Sequence, residues 1–532
     1  MELHPAVTAL LDRLAPDQRA AATAPPGPVL CLAPAGSGKT TTIVARIAWL
    51  VASGVPPGAI AAITFNRRAA GELEARLGAA LAPLAVPQGG VRVRTFHALG
   101  LEILAESPRG PAAVADRGAI LRNLLPEAGA AELAALETAI SRLKVELGVA
   151  PADVAADLAA GPIARAFVAY EAALAARGEL DFDDLVGDAL DWLASDPGGL
   201  ERWRARCGHL LVDEVQDVDR AQLELALALA APANRVFLVG DDDQSIYGWR
   251  LADVRRILDL DHRLPGLRRF PLETNYRCPR PVVQRSTRLI GRNRERFSKV
   301  IRAGPQAAGR LVLAPDGRDD DERIGQAFDQ WPDDGSSRAV LTRTNAELAP
   351  AAAVAIERGI AYRAADLRLP FDGPEIEAAM ATLAAAATVE PGVPLLVLIG
   401  RLRATDPATE PAFAALLSWA PRFADAAALV NAVRERRERS ERLRDGDAPL
   451  SLLTIHAVKG LEFDHVLIPM DADRLPGRRS IDEALDPARA LEEERRLAYV
   501  AWTRAKRSLT LLYDPAAPSR FLLEAFDRRE LG

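Results

Sequence analysis

The chain has 532 residues, 49% of them hydrophobic and 26% charged, and a formal net charge of −7. That length exceeds a single hydrophobic core and predicts roughly three or four domains. The acidic balance argues against coating nucleic acid by bulk charge, though not against a local basic channel.

Cys31, Cys207 and Cys278 form no C-x-x-C pair, which argues against a zinc site, an iron–sulfur cluster or a disulfide framework. A cytoplasmic protein is expected. Neither a charged-then-apolar leader nor a run of about 18 apolar residues occurs, so no membrane partner is expected.

In chain order, the first short apolar strand is Val29–Leu32. Ala33-Pro34-Ala35-Gly36-Ser37-Gly38-Lys39-Thr40 follows it and opens a helix. The backbone N–H groups of such a loop point at phosphates, and the helix N-terminus adds a positive dipole. Lys39 would reach the β- and γ-phosphates, and the Thr40 hydroxyl would ligate Mg²⁺. The first glycine of the usual pattern is Ala33 here, and the strand–loop–helix context compensates. Further strands are predicted at 59–65 and 91–95, then a helical stretch at 101–200 with Ala, Leu, Glu and Arg at helical spacing.

The run 210–213 ends in Asp213-Glu214, followed by Val215-Gln216-Asp217. A strand ending in two acids beside a phosphate loop suits ATP and Mg²⁺. Asp213 would hold the metal through water, and Glu214 would orient and deprotonate the attacking water. A strand at Val236–Gly240 completes the first set. A second set is predicted at 338–341, 450–455, 465–468 and 509–513. The segment 316–337 reads as an Asp-rich loop with one helix, and 388–447 as a second helical insertion ending in the Arg/Glu run 434–444. Continuous apolar strands between helices imply parallel sheets covered on both faces. Two sets imply two α/β domains.

At these residues the chain resembles the UvrD/Rep/PcrA family of superfamily 1A DNA helicases, along nearly its whole length and in the family's motif order. The resemblance implies two RecA-like P-loop domains with helical insertions. Residues 1–99 and 201–277 would form the ATP-binding domain and 100–200 a helical domain. Residues 278–386 and 448–532 would form the second RecA-like domain, and 387–447 a much reduced helical insertion. By the resemblance, Gln18 reads the adenine edge, Ala35, Gly36, Ser37, Gly38, Lys39, Thr40 and Thr41 cradle nucleotide, and Gln244 senses the γ-phosphate. Tyr276 stacks on adenine, Glu462 lies near the ribose, and Arg277 and Arg504 act as arginine fingers from the side of the second domain. ATP would sit in the cleft between the two. Phe65, Asn66, His97, Phe182, Tyr247, Trp249, Arg250, Asn345, Thr454 and His456 would face DNA. Stacking suits a sequence-tolerant grip, because every base has a π-face.

Plain alternatives stay open. An isolated Trp or Phe is more often core than platform, and Trp502 is read as packing. His97 and His456 would be DNA-facing or merely hydrogen-bonded. Arg495 and Arg496 have pairing with nearby acids as an alternative. The run 434–444 reads as a solvated helix face, with a duplex or partner contact as the sharper option. Two departures stand out. Thr41 replaces an arginine frequent in the family, and residues 379–449 leave little room for the family's large helical insertion. No fused nuclease is expected after residue 522.

The resemblance implies an ATP-dependent 3′ to 5′ helicase or translocase on single-stranded DNA and single-strand/duplex junctions, in DNA repair or genome maintenance. One alternative is a motor subunit working with a separate nuclease, of the anti-phage defence type. Another is a non-hydrolysing DNA-binding scaffold. RNA stays open, since stacking does not read the sugar.

Overall fold

The computed structural model describes residues 3–108, 110, 113–149, 151–155, 161–305, 307–365, 367–404 and 410–531. The chain divides into two compact units, Met1–Ala307 with Asp486–Thr503, and Ala308–Leu485 with Arg504–Gly532.

The first unit is built on β1 (Val29–Leu32), β2 (Ile60–Thr64), β3 (Arg92–Thr95), β4 (His209–Val212), β5 (Val236–Gly240) and β6 (Arg268–Pro271). They pair in parallel in the order β3-β2-β4-β5-β1-β6. β1, β2, β4 and β5 are buried at every residue, as the continuous apolar runs require of strands covered on both faces. Alternation along β1 sends Val29 and Cys31 into one core layer and Leu30 and Leu32 into the other. The edge strand β6 has no counterpart in the sequence reading. Arg268-Arg269-Phe270-Pro271 carries no apolar run, because an edge strand needs only one pairing partner and one covered face.

The first helical stretch splits in two. Ile120, Leu121, Ile140, Phe167, Tyr170 and Leu174 form a small core of their own. The helix Phe182–Ser195 instead sinks Leu185, Val186, Ala189 and Leu193 into the core of the sheet. A two-residue pair follows, β7 (Thr274–Asn275) with β8 (Arg302–Ala303).

The second unit holds β9 (Arg310–Pro315), β10 (Arg338–Thr342), β11 (Tyr362–Arg363), β12 (Leu450–Thr454), β13 (Phe463–Pro469) and β14 (Ala505–Tyr513). These are parallel in the order β11-β12-β10-β13-β14-β9. The edge strands β9 and β11 are again additions to the sequence reading. The helices Pro374–Val389, Leu395–Arg403, Glu410–Trp419 and Ala426–Leu443 fill the insertion. Ile399, Phe413, Leu416, Leu429 and Val433 from them share one core with Val340, Leu450 and Leu452 of the sheet. The insertion is therefore part of this unit's core. The Arg/Glu run lies on the last of these helices and is largely paired: Arg437 with Glu377 at 3.1 Å, Arg436 with Glu357 at 3.3 Å, and Arg444 with Asp372.

The contact division differs from the domain boundaries expected from sequence in two places. Residues 278–307 and the helix Pro487–Trp502 belong to the first unit. The reason is hydrogen bonding. Glu492 accepts from the backbone N–H groups of Arg294 and Glu295 at 2.8 and 3.1 Å. Arg495 donates to Asn293 Oδ1 at 2.9 Å, and Arg496 to the Glu295 carbonyl at 2.6 Å. Among the described residues no single helix is long and apolar enough to cross a membrane.

Candidate functional site

The phosphate loop leaves the carboxyl end of β1 and enters the helix Lys39–Ala52, with Gly38 as its N-cap. Gly36 and Gly38 both have left-handed backbones, at φ +69° and +87°. A Cβ on Gly36 would lie 2.7 Å from Asn275 Oδ1, and one on Gly38 would lie 2.6 Å from Gln18 Nε2. The loop is thus glycine for two reasons, a positive φ and close neighbours. Those neighbours hold it in place. Gln18 Nε2 donates to the Ser37 carbonyl at 2.8 Å, and the Tyr276 N–H donates to the Gly36 carbonyl at 2.9 Å. Asn275 Oδ1 accepts from the backbone of Arg277 and Cys278 at 2.9 and 2.8 Å. Tyr276 and Arg277 therefore dock on the phosphate loop within the first unit. Arg277 thus lies in the first unit, as the expected boundary at 277 has it, and not on the side of the second domain from which an arginine finger was expected. Tyr276 is 49% exposed, which leaves its ring a free face.

Asp213 and Glu214 follow β4, and Lys39 Nζ lies 3.6 Å from Glu214 Oε2. Desolvation and the adjacent Glu214 charge push the Asp213 carboxyl up, with Lys39 pulling the other way. Glu214 sits in the left-handed region at φ +53°, a conformation that costs a non-glycine residue about 1–2 kcal/mol and is typical of strained functional positions. Ser37 Oγ and Lys39 Nζ are buried and make no hydrogen bond. A buried hydroxyl and a buried ammonium that make no hydrogen bond, set in a glycine cradle, fit a nucleotide polyphosphate. Two adjacent acids, one of them 3.6 Å from Lys39, fit a divalent cation.

Gln216 joins this site to the next loop. Its Nε2 donates to Glu214 and, at 3.2 Å, to Asp217, while its Oε1 accepts from the Asp241 N–H at 3.0 Å. Asp241 in turn accepts from Gln244 Nε2 at 2.7 Å. Sequence reasoning assigned no role to Gln216. The pair Gln216-Asp217 stands out beside the two acids and narrows the class, but Gln216 itself is given no place in the site.

The DNA-facing candidates of the first unit gather on the same carboxyl edge of the sheet. Phe65 follows β2 and stacks on Tyr247, with ring centroids 4.9 Å apart and 14° between planes. Tyr247 meets Trp249 edge-on at 6.1 Å, and the Arg250 guanidinium lies 4.8 Å from the Trp249 ring. Trp249 and Phe182 are each 56% exposed, unlike core aromatics. His97 contacts Phe182 edge-on at 5.6 Å, and desolvation lowers its pKa. Asn66 caps a helix, accepting from the Ala69 N–H at 2.9 Å. Phe182 is placed by a buried ion cluster. Asp181 caps its helix and contacts Arg117 and Lys144, and Lys144 also pairs with Asp184 at 2.6 Å. Burial would raise the Asp181 pKa, but Arg117 and Lys144 hold it below the usual carboxylate range.

In the second unit Thr342 and Thr454 are register partners at the carboxyl ends of β10 and β12. Asn345, Thr454 and His456 therefore share that edge. Burial lowers the His456 pKa to about 4. Glu462 and Arg504 lie at the opposite edge, just before β13 and β14, where the Phe463 N–H donates to the Arg504 carbonyl at 3.0 Å. Arg504 is buried and donates to the Leu461 carbonyl at 3.3 Å. Trp502 is fully buried, as packing requires.

Comparison with known proteins agrees with this geometry. A family model described as the UvrD/REP helicase N-terminal domain matches residues 14–265, and one for the UvrD-like helicase C-terminal domain matches 423–515. The chain is 32% identical to the ATP-dependent DNA helicase UvrD2 of Mycobacterium tuberculosis, covering 96% of this chain and 81% of that one. It is 28% identical to DNA helicase II of Escherichia coli, covering 95% and 85%. It is 29% identical to the ATP-dependent DNA helicase Rep of Salmonella typhimurium, covering 96% and 94%. The Rep alignment runs over 649 positions against 532 residues here, so that relative carries insertions this chain lacks.

Proposed function

The chain belongs to the UvrD/Rep helicase family, and from that premise we propose that it moves 3′ to 5′ along single-stranded DNA, driven by ATP hydrolysis, and separates duplexes at single-strand/duplex junctions. The family assignment makes it an ATP-dependent DNA helicase. The finer reading rests on one observation. A single short loop carries Gln244, tied through Asp241 and Gln216 to Glu214, and then Tyr247 and Trp249 in the aromatic cluster. A change at the phosphate end of such a loop is transmitted to its stacking end over three to five residues of backbone.

In this reading Lys39, the loop N–H groups and the helix dipole bind the phosphates. Thr40 and Asp213 hold Mg²⁺, which supplies charge neutralisation for phosphoryl transfer. Glu214 orients and deprotonates water, Gln244 contacts the γ-phosphate, and Arg277 stabilises the charge that develops there. Phe65, Tyr247, Trp249 and Phe182 stack on bases. A genome-maintenance role such as DNA repair is the proposed setting.

The test is ATP-driven strand separation on duplexes with a 3′ tail, a 5′ tail or blunt ends, with Lys39→Ala as control. Unwinding restricted to the 3′ tail supports the proposal. Unwinding from the 5′ tail refutes the direction, and turnover retained by Lys39→Ala refutes the site. A second reading, a translocase subunit working with a separate nuclease, is favoured by the insertion's absorption into the core of the second unit. DNA-stimulated ATP turnover without strand separation, together with a co-purifying nuclease, would support it.

A further inference from the structure

Lys299 lies outside every motif considered so far, yet its side chain is only 1% exposed. Its amine contacts three consecutive carboxylates, Asp241 at 2.5 Å, Asp242 at 2.6 Å and Asp243 at 3.0 Å, each with a fully buried side chain. The contacts to Asp241 and Asp242 are hydrogen bonds and that to Asp243 is an ion pair, so carboxylates enclose the ammonium. Arg296 adds a two-point contact to Asp243 at 2.9 and 2.7 Å, and the Phe297 N–H donates to Asp242 at 2.9 Å. Burial would lower the Lys299 pKa, but the three carboxylates outweigh it and keep the amine charged.

Asp241 is the informative member. One of its carboxylate oxygens faces Lys299, and the other accepts from Gln244 Nε2 at 2.7 Å. Its N–H donates to Gln216, which reaches Glu214. A buried carboxylate without its cation takes up a proton or moves, and either change alters the acceptor that fixes the Gln244 amide. The bridge 293–299 is itself held by Glu492, Arg495 and Arg496 of the helix Pro487–Trp502.

We propose that Lys299 is a positioning residue for ATP turnover, holding Asp241 so that Asp241 aims Gln244 at the γ-phosphate. This rests on the role proposed above for Gln244. Lys299 touches no substrate, so it acts on turnover and not on binding. In Lys299→Arg the charge stays, but a planar guanidinium cannot serve three carboxylates from that point.

The experiment is steady-state DNA-stimulated ATP hydrolysis by the full chain for Lys299→Arg, Gln244→Ala, the double variant and Asp242→Asn, with thermal melts and nucleotide-free single-stranded DNA affinity. Lys299→Arg is expected to lower kcat about 10- to 100-fold, the scale of a misplaced catalytic group. KM for ATP and DNA affinity stay within about two-fold of the parent, against the several-fold changes that mark lost contacts. The double variant is expected to be no slower than Gln244→Ala, because the two residues act in series. Asp242→Asn removes a contact to Lys299 without touching Asp241 or Gln244, so it lowers the melting temperature and leaves kcat near the parent value. Equal kcat losses in Asp242→Asn and Lys299→Arg would mean a merely structural cluster and overturn the proposal. Multiplicative losses in the double variant would also overturn it. Undiminished turnover in Gln244→Ala would instead overturn the role of Gln244 itself. If Lys299→Arg does not fold, Asp241→Asn tested against Asp242→Asn makes the same comparison, with a kcat loss expected only for the former.

Discussion

Trp249 and Trp502 are the same residue type in opposite environments, and replacing each with alanine should give opposite results. Trp249 is 56% exposed and meets Tyr247 edge-on at 6.1 Å, with Arg250 beside it. Its loss removes little packing, so folding stability should change by no more than about 0.5 kcal/mol. Stacking of one base on an aromatic ring is worth about 1–3 kcal/mol. The Kd for single-stranded DNA should therefore rise about 5- to 150-fold at 1.4 kcal/mol per decade. Trp502 is 0% exposed, and its truncation should cost about 3–5 kcal/mol of stability. Fluorescence anisotropy on a labelled oligonucleotide at fixed salt, with thermal melts of both variants, measures each quantity. Phe in place of Trp249 should recover most of the affinity, because it restores a π-face. If Trp249→Ala melts well below the parent while binding DNA normally, the exposed aromatic is packing and the stacking platform is wrong.

Three further outcomes follow from particular contacts. Gly36→Ala combines a left-handed φ, about 1–2 kcal/mol, with overlap onto Asn275 and Arg277, about 1–3 kcal/mol. It should lower the melting temperature and abolish ATP turnover, and normal values of both would show that Tyr276 and Arg277 do not dock there. Arg117→Met leaves Asp181 and Asp183 without their shared guanidinium, at 15% and 2% side-chain exposure for Arg117 and Asp181. Breaking such a buried pair should cost about 3–5 kcal/mol in denaturant unfolding, and a loss below about 1 kcal/mol would mean that Lys144 alone suffices. His209 on β4 has its pKa lowered from 6.5 to about 4 by burial, with Arg235 and Arg46 adding to the effect. Its neutral ring is favoured when folded. That contribution is complete above pH 6.5 and is lost as pH falls towards 4. His209→Gln should flatten the fall in melting temperature across that window, and an unchanged slope would disprove the linkage.

The sequence by itself determined what depends on neighbours along the chain. Val29–Leu32 had to be a strand covered on both faces, because four consecutive apolar residues leave no solvent side. The glycines of the loop that follows, the helix it opens and the paired acids after β4 marked a candidate phosphate and metal site through local backbone geometry and charge alone. The edge strands β6 and β11 escaped because Arg268-Arg269-Phe270-Pro271 and Tyr362-Arg363 carry no apolar run, whereas β9, with the apolar run Leu311-Val312-Leu313-Ala314, was legible and was passed over.

Tertiary structure decided everything that depends on which distant residue supplies a partner. It left Trp249 exposed and buried Trp502. It docked Tyr276 and Arg277 on the phosphate loop and folded the insertion into the second sheet's core. It also sank Lys299 among three aspartates more than fifty residues earlier in the chain. Burying a charge is tolerable only when its counter-charges arrive with it, and no periodicity or local motif encodes that arrival.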